Sequence, residues 1–525
     1  VTTVTVPKAR PARVPSGLPL LAARIGWMEV RHSAFVWAIP LLAVLFIYDP
    51  FRTAAVYPDL WSLRGSVVLN KFWPDCVPFA AGFSAWAGSR EGRRNVADLL
   101  ATTARPAWTR QLCSLAGTFA WVLAAFLTGV VALYVNAATM ATWGGPPIWP
   151  IVIGVVAMAA VCALAFTLGA LFPGRFTAPL AAVGMLVVTL VAFREAVSAS
   201  GGPVGILSPD GIVPPNDTGV FYPAASDVPI VQVIFFAGAA LGAIGLLGLS
   251  PRTGGVGWRG ALHAASGGGA RLRTLATVIF AVGVSLAVAG FALAGTARGS
   301  VLGGMGIPVL HDSASDKPIA YTPVCAAAGS FEVCLHPAYQ NYLSQAVRSF
   351  NPVMAEVAGL PGAPLRAIEV SDRTLPQVAL TNNSAGVVTG TPPVYEFTMD
   401  NAVTLVPDAP QFQDGFRQDI VHAVIVGPIG QMVTMKDGST AFQPSTGTPA
   451  QQAVVDGLLQ AIGSQPYPAN ALDHGVAAGQ SPQQQAQITA AAARFAARPS
   501  ATRQAWLVAN LAALKAGRIT LAQLP

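Results

Sequence analysis

Charge is scarce in this chain. Only 10% of the 525 residues are Asp, Glu, Lys or Arg, against about 25% in an ordinary soluble domain. With 53% hydrophobic residues and a mean hydropathy of +0.53, this shortage excludes a chain of purely soluble domains and points to the bilayer. Other absences narrow the chemistry. No G-x-x-x-x-G-K-[ST] occurs, so no phosphate-cradling loop is expected in this chain. Gly254-Gly-Val-Gly257 and Gly267-Gly-Gly269 lack the Lys and Ser/Thr that would complete one. No G-x-S-x-G is present, and no Glu follows Glu396. The pI of about 9.3 does not suggest nucleic acid, because the basic residues are scattered between apolar runs.

The charge that is present is uneven. Up to residue 296 the chain has 19 Lys+Arg against 10 Asp+Glu; beyond it, 12 against 14. The basic half is also the apolar half. Runs of bilayer length fall at roughly 33–49, 72–88, 112–136, 149–171, 178–197, 229–249 and 275–296. The second is short and has Asp75 near its start; the fifth ends at Arg194 and Glu195, which fits an interface. Lys8, Arg10, Arg13, Arg24 and Arg31 precede the first run with no short apolar core and cleavage site, so no cleavable signal peptide is expected. Leu21, Ile25 and Met28 share one helical face, with Arg24 and Arg31 off it, as in an interfacial amphipathic helix.

Lys and Arg then alternate between loops. They concentrate before the first span, after the second (Arg90, Arg93, Arg94, Arg105, Arg110), after the fourth (Arg175) and after the sixth (Arg252, Arg259, Arg271, Arg273). Segments 137–148 and 198–228 have none. By the positive-inside rule the N-terminus is cytoplasmic, and seven spans place the C-terminal part outside. The expected organisation is a cytoplasmic tail and amphipathic helix over 1–32, six spans over 33–250, a linker and seventh span over 251–296, and an extracytoplasmic α+β domain over 297–525. Cys325 and Cys334 lie in that last part. An oxidising compartment favours a disulfide between them; two buried free thiols are the alternative.

The cytoplasmic stretch Ser89–Pro106 carries the most specific pattern. After Gly92 it reads as a short amphipathic helix, with Val96, Leu99 and Leu100 on one face. Glu91, Asp98, Leu99, Leu100, Thr102 and Arg105 match the coupling segment of type-2 ABC exporter permeases, which this chain resembles over about residues 18–250. Val96 and Ala97 stand where that family has Gly-Thr. The family also carries an amphipathic elbow helix before its first span. The resemblance implies that the 89–107 segment docks into a separate ABC ATPase subunit, which would bind ATP and Mg, with no cofactor in this chain. It implies six core spans per subunit in a permease homodimer or heterodimer within a bacterial inner membrane. The seventh span would carry the last domain outward.

The C-terminal domain reads as short strands at 365–370, 378–380, 394–399 and 402–406, then helices at about 412–427, 449–463, 482–497 and 501–516. In the first of these helices, Gln418-Asp-Ile-Val-His422 occupies the place of a zinc-peptidase H-E-x-x-H, where two His one turn apart bind Zn and Glu is the base. Only His422 matches; Gln418 and Asp419 replace the first ligand and the base. The layout resembles a gluzincin-like peptidase domain without its metal site, but one matching His is a weak motif, and an apolar helix that happens to carry one His is the favoured alternative. His336, in Cys334-Leu-His-Pro-Ala-Tyr339, reads as part of a structural turn. The function these patterns favour is an ATP-driven exporter subunit, not an enzyme in itself. The alternatives are a membrane-anchored ligand-binding sensor or scaffold, and a tethered hydrolase.

Overall fold

The computed structural model describes residues 59–69, 73–94, 107–196, 203–206, 208–209, 219–250, 268–297, 306–312, 315–371, 373–375, 386–399, 410–428, 430–434, 440–445, 447–464 and 481–525, with Trp27 and Tyr48 as isolated positions. The amphipathic N-terminal helix, the first span, the 251–267 linker and the strands expected at 378–380 and 402–406 lie outside these residues.

Among the described residues, five helices are long and apolar enough to cross a membrane. They are α3 (Ala107–Met140), α4 (Trp149–Leu171), α5 (Thr177–Ala196), α6 (Asp227–Leu249) and α7 (Gly268–Ala294). Each covers a run expected from hydropathy. The run at 72–88 forms α2 (Trp73–Gly88), 16 residues with Pro78 inside it. At 1.5 Å per residue it spans about 24 Å, short of a hydrocarbon core of about 30 Å. A shorter helix, α1 (Trp61–Val67), precedes it.

Small residues let these helices approach closely, as membrane helices do where no hydrophobic drive separates protein from lipid. A Cβ on Gly88 would overlap the Phe166 backbone, and one on Gly169 that of Ala85, so α2 and α4 touch backbone to backbone. Gly238 and Gly245 of α6 face Gly283, Ala287 and Phe280 of α7 in the same way, and a Cβ on Gly283 would overlap the Gly242 backbone. The seventh helix is thereby seated on the sixth along its length. Trp108 Nε1 donates to the Ile244 carbonyl at 3.2 Å, and Thr167 Oγ1 to that of Ala243 at 3.1 Å, pinning α3 and α4 to α6.

The C-terminal domain is built on a five-stranded sheet of order β1-β2-β3-β5-β4. The strands are β1 (Val324–Ala328), β2 (Phe331–Leu335), β3 (Arg366–Glu369), β4 (Gly386–Thr389) and β5 (Val394–Phe397). β2, β3 and β5 run parallel, while β1 and β4 close the two edges antiparallel. Helix α8 (Leu343–Val357) crosses between β2 and β3; α9 (Pro410–Ile425) follows β5. A second hairpin pairs β6 (Gly430–Thr434) with β7 (Thr440–Pro444). Helices α10 (Pro449–Ala461), α11 (Pro482–Ala496) and α12 (Ser500–Lys515) complete the domain. Phe350, Phe397, Phe416 and Tyr395 form its buried centre, with ring centroids 5.0–6.2 Å apart. Such pairs add about 0.5–1.5 kcal/mol each beyond area burial.

This domain shares its core with the membrane half. Leu60, Leu63, Val220, Phe221 and Tyr222 belong to the same buried cluster as Phe331, Phe350 and Phe416.

Candidate functional site: the two ends of the helix bundle

Helix direction sorts the loops. α2 and α4 meet near Gly88 and Phe166, and α3 begins beside the end of α6 at Ile244, so these termini gather at one end. Arg90, Arg93, Arg94, Arg110 and Arg175 cluster at this end. Here a single helical turn, Arg90–Arg93, continues from α2. Glu91 accepts two hydrogen bonds from Arg110, at 2.8 Å from Nε and 3.1 Å from Nη2. This bidentate pair ties the turn to the first residues of α3. Arg93 lies over the Trp86 ring at 5.0 Å, and its Nη2 donates to the Trp86 carbonyl at 3.0 Å. Gly92 packs so tightly on Pro173 that a Cβ would overlap that ring. A force on this turn therefore reaches α2, α3 and the end of α4. Of the expected coupling residues, Glu91 is placed here; Asp98, Leu99, Leu100, Thr102 and Arg105 lie outside the described residues.

The opposite end carries the C-terminal domain. Met140, Thr142, Trp143, Phe221, Tyr222 and Asp227 all meet it. Thr142 Oγ1 donates to the Pro337 carbonyl at 2.7 Å, Asn341 Nδ2 to that of Met140 at 3.1 Å, and the Asp59 N–H to the Tyr342 hydroxyl at 3.3 Å. All three contacts fall on one 3₁₀ turn, Pro337–Tyr342. The Ile307 N–H donates to Asp227 Oδ2 at 2.6 Å, and the Ile319 N–H to the Phe221 carbonyl at 2.7 Å. Asp316 joins His311 and Arg373, each at 3.0 Å, and Arg373 lies over the Tyr222 ring at 4.2 Å. The Asp316 carboxyl stands below its ordinary range: burial pushes it up, but hydrogen bonds and charge from Arg373 and His311 together outweigh that.

At the middle of this joint sits His336, fully buried. Its ring packs against Trp143, Phe221 and Tyr321 at centroid distances of 4.8, 4.9 and 4.2 Å. Its Nδ1 accepts the Ala338 N–H at 3.1 Å, capping the 3₁₀ turn, and its own N–H donates to Glu369 Oε2 at 2.7 Å. The turn expected at this position is present. What the sequence did not reveal is that its ring fills the contact with two membrane loops. Those partners lie more than 100 positions away in the chain, beyond any local pattern.

Cys325 and Cys334 are joined by a disulfide and face each other across β1 and β2. Gln418, Asp419 and His422 lie on α9. Asp419 Oδ2 accepts from the Gly386 N–H and the Tyr395 hydroxyl, both at 3.1 Å, fixing α9 to β4 and β5. Burial, with the Asp419 charge, pushes the Tyr395 hydroxyl well above its ordinary range. The carboxylate at the place of a catalytic base is thus held by structural donors.

No family model matches the chain, and neither a curated protein nor a solved structure does.

Proposed function

We propose that this chain is the membrane subunit of an ATP-driven ABC transporter, an exporter, whose 89–107 segment docks on a separate ATPase. The observation that carries the reading is the bidentate Glu91–Arg110 pair. It joins the start of the coupling segment to α3 while the same turn leans on α4, so a displacement imposed there is delivered to three spans. The Arg-rich end then faces the cytoplasm of a bacterial inner membrane, with the C-terminal domain outside. Two such subunits would complete the pathway. In that domain, the mixed sheet followed by the helix bearing Gln418, Asp419 and His422 fits a peptidase-like layout that has lost its metal. One His and a carboxylate engaged by Tyr395 do not suit catalytic zinc. The domain's role is then to cap the outer end of the path.

The test is Leu99→Asp. A charge on the apolar face of the coupling helix is expected to abolish ATPase co-purification while the chain still inserts and stays folded in detergent. Undiminished recovery of an ATPase with that variant would contradict the assignment. A sensor reading draws support from one observation: the C-terminal domain contacts the span ends directly, so a ligand bound there could bias the bundle. It requires no ATPase partner, which the same experiment addresses.

A further inference from the structure

His336 does more than cap a turn. A backbone N–H is a permanent donor, so the Ala338 amide on Nδ1 requires that nitrogen to be unprotonated. The single proton of the neutral ring is then on Nε2, which is buried with no hydrogen-bond partner among the described residues. An imidazolium needs a second proton on Nδ1, where it would confront the Ala338 N–H. Protonation thus demands that the cap break and the ring turn. The ring cannot turn while Trp143 of the 141–148 loop, Phe221 of the loop before α6 and Tyr321 enclose it. The docked arrangement and the charged ring exclude each other.

We propose that His336 is a proton-operated latch: docking of the Pro337–Tyr342 turn onto the membrane loops holds it neutral, and acidification on that side of the bundle weakens the docking. The groups facing it decide the sign. Trp143 and Phe221 bring no charge. The Tyr321 hydroxyl is raised by burial first and then by Glu369, so it stays neutral across the relevant range. Among the described residues, Glu369, buried on β3, is the anion bonded to His336; it favours an imidazolium but accepts from the His336 backbone N–H, while Asp59, further along the turn at Tyr342, is paired with Arg64. Burial pushes the His336 ring down to about 4, consistent with the geometric exclusion. A docked pKa below the free value of about 6.5 means that docking is fully present above 6.5. It is lost progressively as pH falls from there towards 4. This proposal does not depend on the transporter reading, since it concerns the joint alone.

The experiment is hydrogen–deuterium exchange on the full chain in lipid nanodiscs at pH 7.5 and 5.5, with labelling times scaled to intrinsic exchange. One proton taken up on undocking predicts a loss of about ten-fold in protection over 336–342 and 219–222. His336→Asn keeps a side-chain acceptor for the Ala338 amide and cannot take up the proton, so its protection should change by less than about two-fold. Glu369 remains in that variant, so a loss driven by the carboxylate would persist there and overturn the proposal. A wild-type chain with no pH response would overturn it too, as would an equal loss over the α11 core at 488–495, which signals global unfolding. If His336→Asn does not yield folded protein, His336→Ser supplies the same comparison with another capping residue, judged by the same two outcomes.

Discussion

The two ends of the bundle are built on different principles. At the domain end, apolar rings from loops distant in sequence interlock around the buried His336, and hydrogen bonds frame the contact. At the arginine end, the described residues are joined by a partly open ion pair: Arg110 and Glu91 are 24% and 25% exposed. Buried ring packing resists displacement because interiors are close-packed and each lost contact leaves a void. A partly exposed ion pair contributes little to stability, yet it fixes direction. The first end is suited to holding a domain in place; on the transporter proposal, the second receives a partner and passes on its motion.

That contrast can be broken by substitution, beginning where the largest effect is expected. Phe221→Ala removes a buried ring shared by the loop and the domain, and should cost about 3–5 kcal/mol. A fall in the thermal unfolding midpoint of the detergent-solubilised chain would measure it, and an unchanged midpoint would show the joint to be loose. Thr142→Val deletes the hydroxyl that donates to Pro337; because Thr142 is exposed, water replaces part of the bond and about 1 kcal/mol or less is expected. Exchange rates over 336–342 would report it. Glu91→Gln at the other end should change stability by only about 0–1 kcal/mol while reducing ATPase stimulation or co-purification markedly. A large loss of thermal stability with coupling intact would invert the comparison.

Much of the membrane half was legible because bilayer length and hydropathy act on consecutive residues. The helices Ala107–Met140, Trp149–Leu171 and Asp227–Leu249 cover the expected runs within a few residues at most ends. In the C-terminal domain the start of α11 was readable from Ser481, which caps it; Ser500 reads as a start of the same kind, but α12 begins after Pro499 with no side-chain cap, and the capping box of Thr448 and Gln451 opens α10. Helix α8 escaped notice although Ala346, Phe350, Val353 and Val357 all face the core, because Pro352 within it reads as a breaker. The β1–β2 hairpin was missed because Val324–Ala328 is rich in alanine, a poor strand signal; pairing and the disulfide partner supply what propensity does not. The joint around His336 was illegible for another reason: Trp143, Phe221 and His336 come from three loops whose meeting is set by the whole bundle. Glu91 was visible as part of a motif, but its pairing with Arg110 across 19 positions follows only once α2 and α3 lie side by side.

The central claim is that the arginine end docks an ATPase, and affinity purification of the solubilised chain from its native membrane tests it most directly. The account predicts stoichiometric recovery of a P-loop ATPase. Recovery of the chain alone, or with partners bound only through the C-terminal domain, would contradict it.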